Sequence, residues 1–561
     1  MARRSARASS LVARSEQIAG QFEVDHEQVR KLTEHFVAHM KDALTHDGPS
    51  QIPSFVTKIP DGTEKGVFLA VDLGGTNCRV CSIELHGDST YSLVQSKHLV
   101  PLELRVNPSY QPLFRFIAEK IGDFINNRPE LYHLRDVTTN KGKKSEHQSV
   151  RRYNHLKLGF TFSFTCHQES LARGSLLHWD KGWDIPSALG CDPCVMLQEA
   201  IDELTLPVCV TALANDSVGT LMARSYTSLG RSSTLMGAIF GTGTNAAYVE
   251  RLSNIRRLHN RGQFQNCSHK DLMVINTEWG CFDDDMAVLP TTIYDDLLDM
   301  NSKDQGKQMM EKRVSGLYLG ELFRLILIQL LNEDLFDMTM GPSSPLFTQE
   351  GVPSSLLSVL AEDDSGSLEN ARQGAAISLK ALNMSLDDTR VLRTIASAIS
   401  QRSARLSGAA IAAIIVQSGR MQGFGAEFSS ELKSVKVAAQ EQQLKSSTRR
   451  NSSNYSHFSA RSRLLIRRLL KFLGFQRSSR TIITSNSSPS LLLSEKSANT
   501  KEDIIDIGVD GSLVEFHPTF QTEIRATLRE IFGEGGDLIR IGIAKDGSSV
   551  GAALMAQSAS T

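Results

Sequence analysis

Apolar residues between Glu16 and Leu44 fall at Ile18, Phe22, Val29, Leu32, Phe36 and Met40, a spacing that predicts amphipathic helices with Asp25 as a cap. The pattern then changes. Gly66–Leu73 is a short apolar run ending in Gly74-Gly75, and Cys78–Leu85 continues with alternating character, so the two predict a β-hairpin about a glycine turn. Strand followed by polar turn recurs at Val208–Leu213, Leu235–Phe240, Ile505–Val509 and Ile539–Ile543, with helical stretches at Ser315–Leu331 and Val391–Gln417. The order predicts a mixed α/β fold. A membrane span is not expected: Gly408–Val416 is too short, and Arg324 interrupts the apolar run Leu317–Leu331 before it reaches the ~18–20 residues a spanning helix needs.

Two stretches depart from this patterning. Met1–Arg14 carries Arg3, Arg4, Arg7 and Arg14 and no acid, so it is expected to lie outside the fold as a basic disordered tail; a mitochondrial or nuclear targeting segment has the same composition. From about 421 to 503 the chain is Ser-rich, and Glu441–Arg480 holds ten Lys and Arg against one acid, which predicts a largely disordered insertion. Within it, Arg461–Phe475 sets Leu465, Ile466, Leu469, Leu470, Phe472 and Leu473 opposite Arg461, Arg463, Arg467, Arg468 and Lys471. Such a basic amphipathic face could meet an anionic membrane surface, a protein partner or a nuclear import factor, or be a chance pattern within the insertion.

The 561 residues carry 61 Lys and Arg against 62 Asp and Glu, a balance that provides no field for nucleic acid. Eight cysteines, most within apolar runs such as Cys78, Cys81, Cys209 and Cys281, are expected to be reduced core residues. The implied setting is intracellular, with the cytoplasm favoured and mitochondrion or nucleus as alternatives. Cys191 and Cys194 form a C-x-x-C with no second pair at zinc spacing, so a metal or redox role is not expected of them.

The candidate chemistry sits at strand ends. Asp72-Leu73-Gly74-Gly75-Thr76-Asn77 ends an apolar strand with glycines that let backbone N–H groups approach phosphate, while Asp72 could orient hydrated Mg²⁺. A plain hairpin turn has the same look. Phe240-Gly241-Thr242-Gly243-Thr244-Asn245 is a second such loop, and two loops on separate strands suit a nucleotide clamped between lobes. Asp216, after Asn215 at the end of the Val208–Leu213 strand, is placed either as a general base or as a helix cap. Glu278 and Glu321 are acids in apolar surroundings that need partners: a polyhydroxylated ligand, or an arginine such as Arg324.

Taken in order, these segments resemble the eukaryotic-type hexokinases and glucokinases, and among them the fungal members. The likeness runs from about Ser15 to Gln557 apart from the insertion. Asp72–Arg79 is similar to the family's first phosphate loop, Leu158–Phe164 with Ser163 to a sugar-binding segment, and Lys181-Gly182-Trp183 to a loop whose lysine lies near the transferred phosphoryl group. Asn215-Asp216 resembles the sugar-and-base pair, and Gly241–Asn245 the second phosphate loop. Glu278 and Glu321 match the two sugar-binding glutamates, and Val509-Asp510-Gly511-Ser512 and Asp546-Gly547-Ser548 the nucleotide segments.

The resemblance implies an actin-like ATPase (ribonuclease H-like) α/β fold of two lobes around a ligand cleft. Residues 15–224 would form the N-terminal, small-lobe region and 225–558 the C-terminal, large-lobe region. It also implies a hexose, glucose first among them, with ATP and Mg²⁺. The γ-phosphoryl group would pass to the sugar 6-hydroxyl, with Asp216 as base and Lys181 beside the phosphoryl group. The sugar would meet Ser163, Asp180, Lys181, Asn215, Asp216, Asn245, Glu278 and Glu321. The nucleotide would meet Asp72, Gly74, Gly75, Thr76, Asn77, Arg79, Gly241, Thr242, Gly243, Asp510, Gly511, Ser512, Gly547 and Ser548. Mg²⁺ would enter through ATP, with no direct protein ligand beyond a water on Asp72.

Several positions depart from the family. Thr165 follows Phe164 where the family has proline, which is expected to loosen that loop. Asp180 precedes Lys181 where the family has threonine, so a carboxylate could pair with the lysine or repel the γ-phosphate. Cys78 replaces a common Phe, and Lys545 a common Glu. Asp180, Thr165 and the insertion suit a second reading: a catalytically impaired, hexokinase-like protein that binds sugar or nucleotide and acts in carbon-source signalling.

Overall fold

The computed structural model describes residues 2–128, 155–179, 182–228, 234–268, 270–421 and 504–559, with side chains described from Arg7 onward. The basic insertion from 422 to 503, its 461–475 segment, and the pair Asp180 and Lys181 lie outside the described residues.

In chain order the strands are β1 (Ile52–Pro53), β2 (Lys65–Gly74), β3 (Asn77–His86), β4 (Tyr91–Leu99), β5 (Leu156–Phe162), β6 (Thr165–Ser170), β7 (Arg173–His178) and β8 (Val208–Ala214). They continue with β9 (Thr234–Phe240), β10 (Thr244–Arg251), β11 (Leu272–Asn276), β12 (Thr339–Met340), β13 (Ala381–Leu382), β14 (Ile505–Asp510) and β15 (Ile539–Ile543). Among the described residues they make a small-lobe sheet β4-β3-β2-β5-β8 and a large-lobe sheet β1-β11-β10-β9-β14-β15. β6 pairs with β7, and β12 with β13. The glycine-turn hairpin is β2–β3, antiparallel from Lys65↔His86 to Gly74↔Asn77. β5 and β8 add parallel strands to one lobe, and β14 and β15 to the other.

Alternation on β2 places its residues in two cores. Leu69, Val71 and Leu73 face one cluster with Cys78 and Val80, whereas Phe68 and Ala70 join Cys81, Ile83 and Leu85 in another. The second core also takes in residues from the helices Asp216–Thr227 and Gly547–Ser558 and from β10 and β11, so it joins the lobes. The two helices touch backbone to backbone: a Cβ on Gly551 would lie 2.1 Å from Gly219 Cα, so any other residue at Gly551 would push them apart. The helix that begins at Asp216 is thereby fixed along its length.

The N-terminus corrects one expectation. Met1–Arg14 was expected outside the fold, yet Ala2–Ala19 is one helix, with Leu11, Ser15 and Ile18 buried. Arg14 Nη2 reaches Glu333 Oε1 at 3.0 Å and Arg7 pairs with Asp334. Arg7 and Arg14, two of the arginines that give the segment a tail's composition, instead form outer ion pairs, while its few apolar residues suffice for docking. The helix His26–Ala43, capped by Asp25 as expected, packs with it against the long helix Leu386–Ser418, in the core that also holds β9 and β10. Residues up to Leu44 are therefore part of the large lobe in space, although in sequence they precede the small one. No helix among the described residues is long and apolar enough to cross a membrane.

Candidate active site

The C-terminal ends of β5, β8 and β14 and the glycine turns β2–β3 and β9–β10 meet around a cavity of about 420 Å³. Ligands of α/β sheets sit at such strand ends, where side chains and backbone N–H groups emerge free of the ladder. Of the sequence candidates, Asp72, Gly74, Gly75, Thr76, Asn77, Arg79, Ser163, Asn215, Asp216, Thr242, Gly243, Asn245, Glu278, Asp510, Gly511 and Ser548 line it. Gly241, Ser512 and Gly547 stand just behind; Gly241 lies against the Gly511–Ser512 backbone, and Gly547 against Thr220.

One wall is a chain of amides and acids. Asn215, and not Asp216, caps the following helix: its Oδ1 accepts from Ser217 N at 2.9 Å and from Ser217 Oγ at 2.6 Å. Asp216 is thus the first helical residue, its Oδ1 accepting from Ser217 N at 2.8 Å. Asn245 Nδ2 donates to Asn276 Oδ1 at 2.9 Å, lies 3.3 Å from Asn215 Oδ1, and reaches Glu278 Oε1 at 3.5 Å. Asn276 Nδ2 donates to the same Glu278 oxygen at 2.8 Å. Glu278 has a left-handed backbone, φ 48°, a strained setting that commonly marks a side chain held for function.

The second glutamate is not where the resemblance puts it. Glu321 is buried and spent: Arg324 donates to it from Nε at 2.7 Å and Nη2 at 2.6 Å, and Glu350 N donates at 2.8 Å. It does not line the cavity, so the arginine partner, left open by the sequence, is the one realised. The cavity is lined instead by Glu311 and Gln308, which the sequence reading missed. Glu311 Oε1 accepts from Thr244 N at 3.3 Å, and its other oxygen lies 3.2 Å from where a Cβ on Gly280 would be. The same Cβ would lie 2.3 Å from Gln308 Oε1, so a side chain at position 280 would displace the two residues from the cleft wall.

The glycine turns complete the lining. Gly75 turns at φ +57°, and its carbonyl accepts from Trp183 Nε1 at 2.5 Å. Asp72 Oδ2 accepts from Arg79 at 3.3 Å and Ser548 Oγ at 3.1 Å, tying the first turn to the C-terminal helix. Gly511, at φ +112°, lets the end of β14 close on β9; a Cβ there would lie 2.5 Å from the Phe240 carbonyl carbon. Burial raises the Asp510 carboxyl to about 6, with Glu515, Asp216 and Asp546 adding negative charge. No group of three or more His, Cys, Asp or Glu placed to hold a metal ion occurs among the described residues.

The segment at Thr165 is held by pairing and by ring contacts. Thr165 opens β6 opposite His178, and Phe164 sits 4.6 Å from the Trp179 ring and 5.2 Å from Trp183. A larger hollow, about 1250 Å³, opens between the first helix and the long helix Leu386–Ser418. Its Arg393, Arg402 and Arg405 are already paired with Asp364, Asp295 and Glu530, so the 420 Å³ cleft is the better candidate for the chemistry.

Two α/β lobes meeting at a cleft lined by glycine turns, amides and acids define an actin-like phosphotransferase fold. Models described as hexokinase match residues 14–226 and residues 235–441 and 422–558. The chain is 38% identical to a glucokinase of Aspergillus niger across 98% of each chain, and 33% identical to hexokinase-2 of Schizosaccharomyces pombe across 96% of this chain and 95% of that one. A solved hexokinase from Schistosoma mansoni complexed with glucose superposes with a TM-score of 0.71 at 26% identity, covering 98% of this chain and 99% of that one. The chain belongs to the hexokinase family, and ATP-dependent hexose phosphorylation is the activity that membership carries.

Proposed function

We propose that the protein transfers the γ-phosphoryl group of ATP to the 6-hydroxyl of glucose or a closely related hexose, in the cleft lined by Asp216, Glu278 and Glu311. The observation that carries this reading is the hydrogen-bonded run Asn215–Asn245–Asn276–Glu278 beside Asp216: donors and acceptors held at fixed spacing, as vicinal hydroxyls require. Hexose hydroxyls would be shared among Asn215, Asn245, Glu278 and Glu311. Ser217 N–H holds one Asp216 oxygen, leaving Oδ2 to accept the 6-hydroxyl proton as the oxygen attacks phosphorus. Backbone N–H groups at Gly74–Asn77 and Thr242–Gly243 would hold the phosphates, with Asp510, Gly511 and Ser548 on the nucleotide side. Asp216 and Asp510 line the cleft and act on each other through charge, with Asp72 beside them on Arg79, a balance that fits a divalent cation arriving with the phosphates. When bound, magnesium supplies neutralisation of the phosphate oxygens. Closing the lobes over both substrates would exclude water as a competing acceptor.

In this reading Lys181 approaches the transferred phosphoryl group, and Asp180 is the residue most able to weaken it. A like charge about 4 Å from the phosphate at an effective dielectric near 20 is worth ~4 kcal/mol. ADP release measured with glucose, fructose and mannose tests the function: hexose-dependent turnover far above an Asp216→Ala control is expected. Hexose binding without turnover would favour the signalling reading instead. Asp180→Thr is expected to raise kcat, and an unchanged kcat would remove the electrostatic handicap assigned to it.

A further inference from the structure

Glu311 stands on a four-residue helix, Glu311–Val314, too short to hold a carboxylate in place unaided. Directly behind it is a costly arrangement. Arg313 is 1% exposed, and burial lowers its pKa; its Nη2 has no hydrogen-bond partner. Nearby Arg402, equally buried, gives Nη1 and Nη2 to the two oxygens of Asp295, each at 2.7 Å. Asp295 is thus bonded to Arg402, and Arg313 feels it, with Asp296 and Asp299, only through charge. Burying an ion costs several kcal/mol, and an apolar side chain of similar volume would fill the space at lower cost.

The directions of the Arg313 bonds account for its presence. Nε donates to Pro290 O at 2.7 Å and Nη1 to Met309 O at 2.8 Å. Pro290 lies in the segment that continues from Glu278, whereas Met309 leads into Glu311, so one planar fork sets the two cleft glutamates relative to each other. The same short stretch is tied at Met310 N to Gly280 O (3.1 Å) and at Val314 O by Ser403 Oγ (2.8 Å). We propose that Arg313 is a positioning residue for Glu311: it contacts no substrate, and it aims that carboxylate at the hexose by clamping the Met309 and Pro290 carbonyls. This inference rests on the sugar-site reading given above.

Hexose affinity of Arg313→Met, Glu311→Gln and the double variant, read by titration and by KM, tests it. Arg313→Met is expected to weaken hexose binding at least ~10-fold, with a smaller change in KM for ATP. In the Glu311→Gln background the same change is expected to add less than about 2-fold, because the residue acts through the carboxylate. Additive losses would overturn the proposal, as would intact hexose affinity in folded Arg313→Met. Should thermal melting show that variant unfolded, Arg313→Lys is read by the same criteria; it keeps the charge beside Asp295 but cannot span both carbonyls. If Glu311→Gln binds hexose normally, the sugar-site reading fails, and the positioning role with it. If Glu311→Gln weakens binding while neither Arg313 variant does, only the positioning role fails.

Discussion

Glu311 opens the short helix Glu311–Val314, and Glu321 lies ten residues further on, within the helix Gly316–Asn332. Glu311 reaches the cleft, where one of its oxygens accepts from Thr244 N–H. Glu321 points into the wall, where Arg324 and the Glu350 N–H satisfy both oxygens. The contrast shows that burial of an acid is no guide to its job. A carboxylate enclosed by its own arginine and a backbone N–H stabilises the fold, whereas one that lines a cavity beside other acids and amides stands where a ligand can reach it.

Four changes would break or sharpen that contrast. The largest effect is expected from Asp216→Ala, which should cut kcat ~10²–10⁴-fold while hexose binding survives, as checked by ADP release and titration. Next, Glu311→Gln should raise the hexose KM by about one to two orders of magnitude, the range of a charge-assisted hydrogen bond lost. Glu321→Gln should leave that KM alone and appear as a lowered Tm, since it strands Arg324 in a buried site. A KM effect at Glu321 equal to that at Glu311 would erase the distinction.

The smallest effect concerns pH. The Asp510 carboxyl lies near 6, above its ordinary 3.8, so the folded chain holds more protons than the unfolded one between those values. Unliganded stability should therefore fall as pH rises through that window, and Asp510→Asn should flatten the slope in a melting series. Affinity for magnesium-ATP should move the opposite way, weakening as pH drops below about 6 and the carboxylate loses its charge.

Much of the cleft was legible in the sequence because its parts lie at punctuated places. An apolar run that stops at two glycines, or at Asn-Asp before a helix, signals a strand end with exposed backbone, and those segments converge as expected. Glu311 carried no such signal. It opens Glu311-Lys312-Arg313, which reads as a solvated charge run, yet Lys312 and Arg313 are 2% and 1% exposed and their charges are held by Asp299, by Asp295 and by backbone carbonyls. Glu321 had the better local credentials, an acid in an apolar helix, but only three-dimensional packing assigns it to Arg324. The first helix was hidden for a related reason: three buried side chains, Leu11, Ser15 and Ile18, dock a segment whose composition is that of a tail.

A structure of the protein with glucose and a non-hydrolysable ATP analogue tests the convergence most directly. The hexose 6-hydroxyl is expected within about 3 Å of Asp216, its ring hydroxyls on Glu278 and Glu311, and Glu321 still paired with Arg324. A sugar bound away from Asp216, or one that draws Glu321 off Arg324 while Glu311 stays empty, would contradict the account.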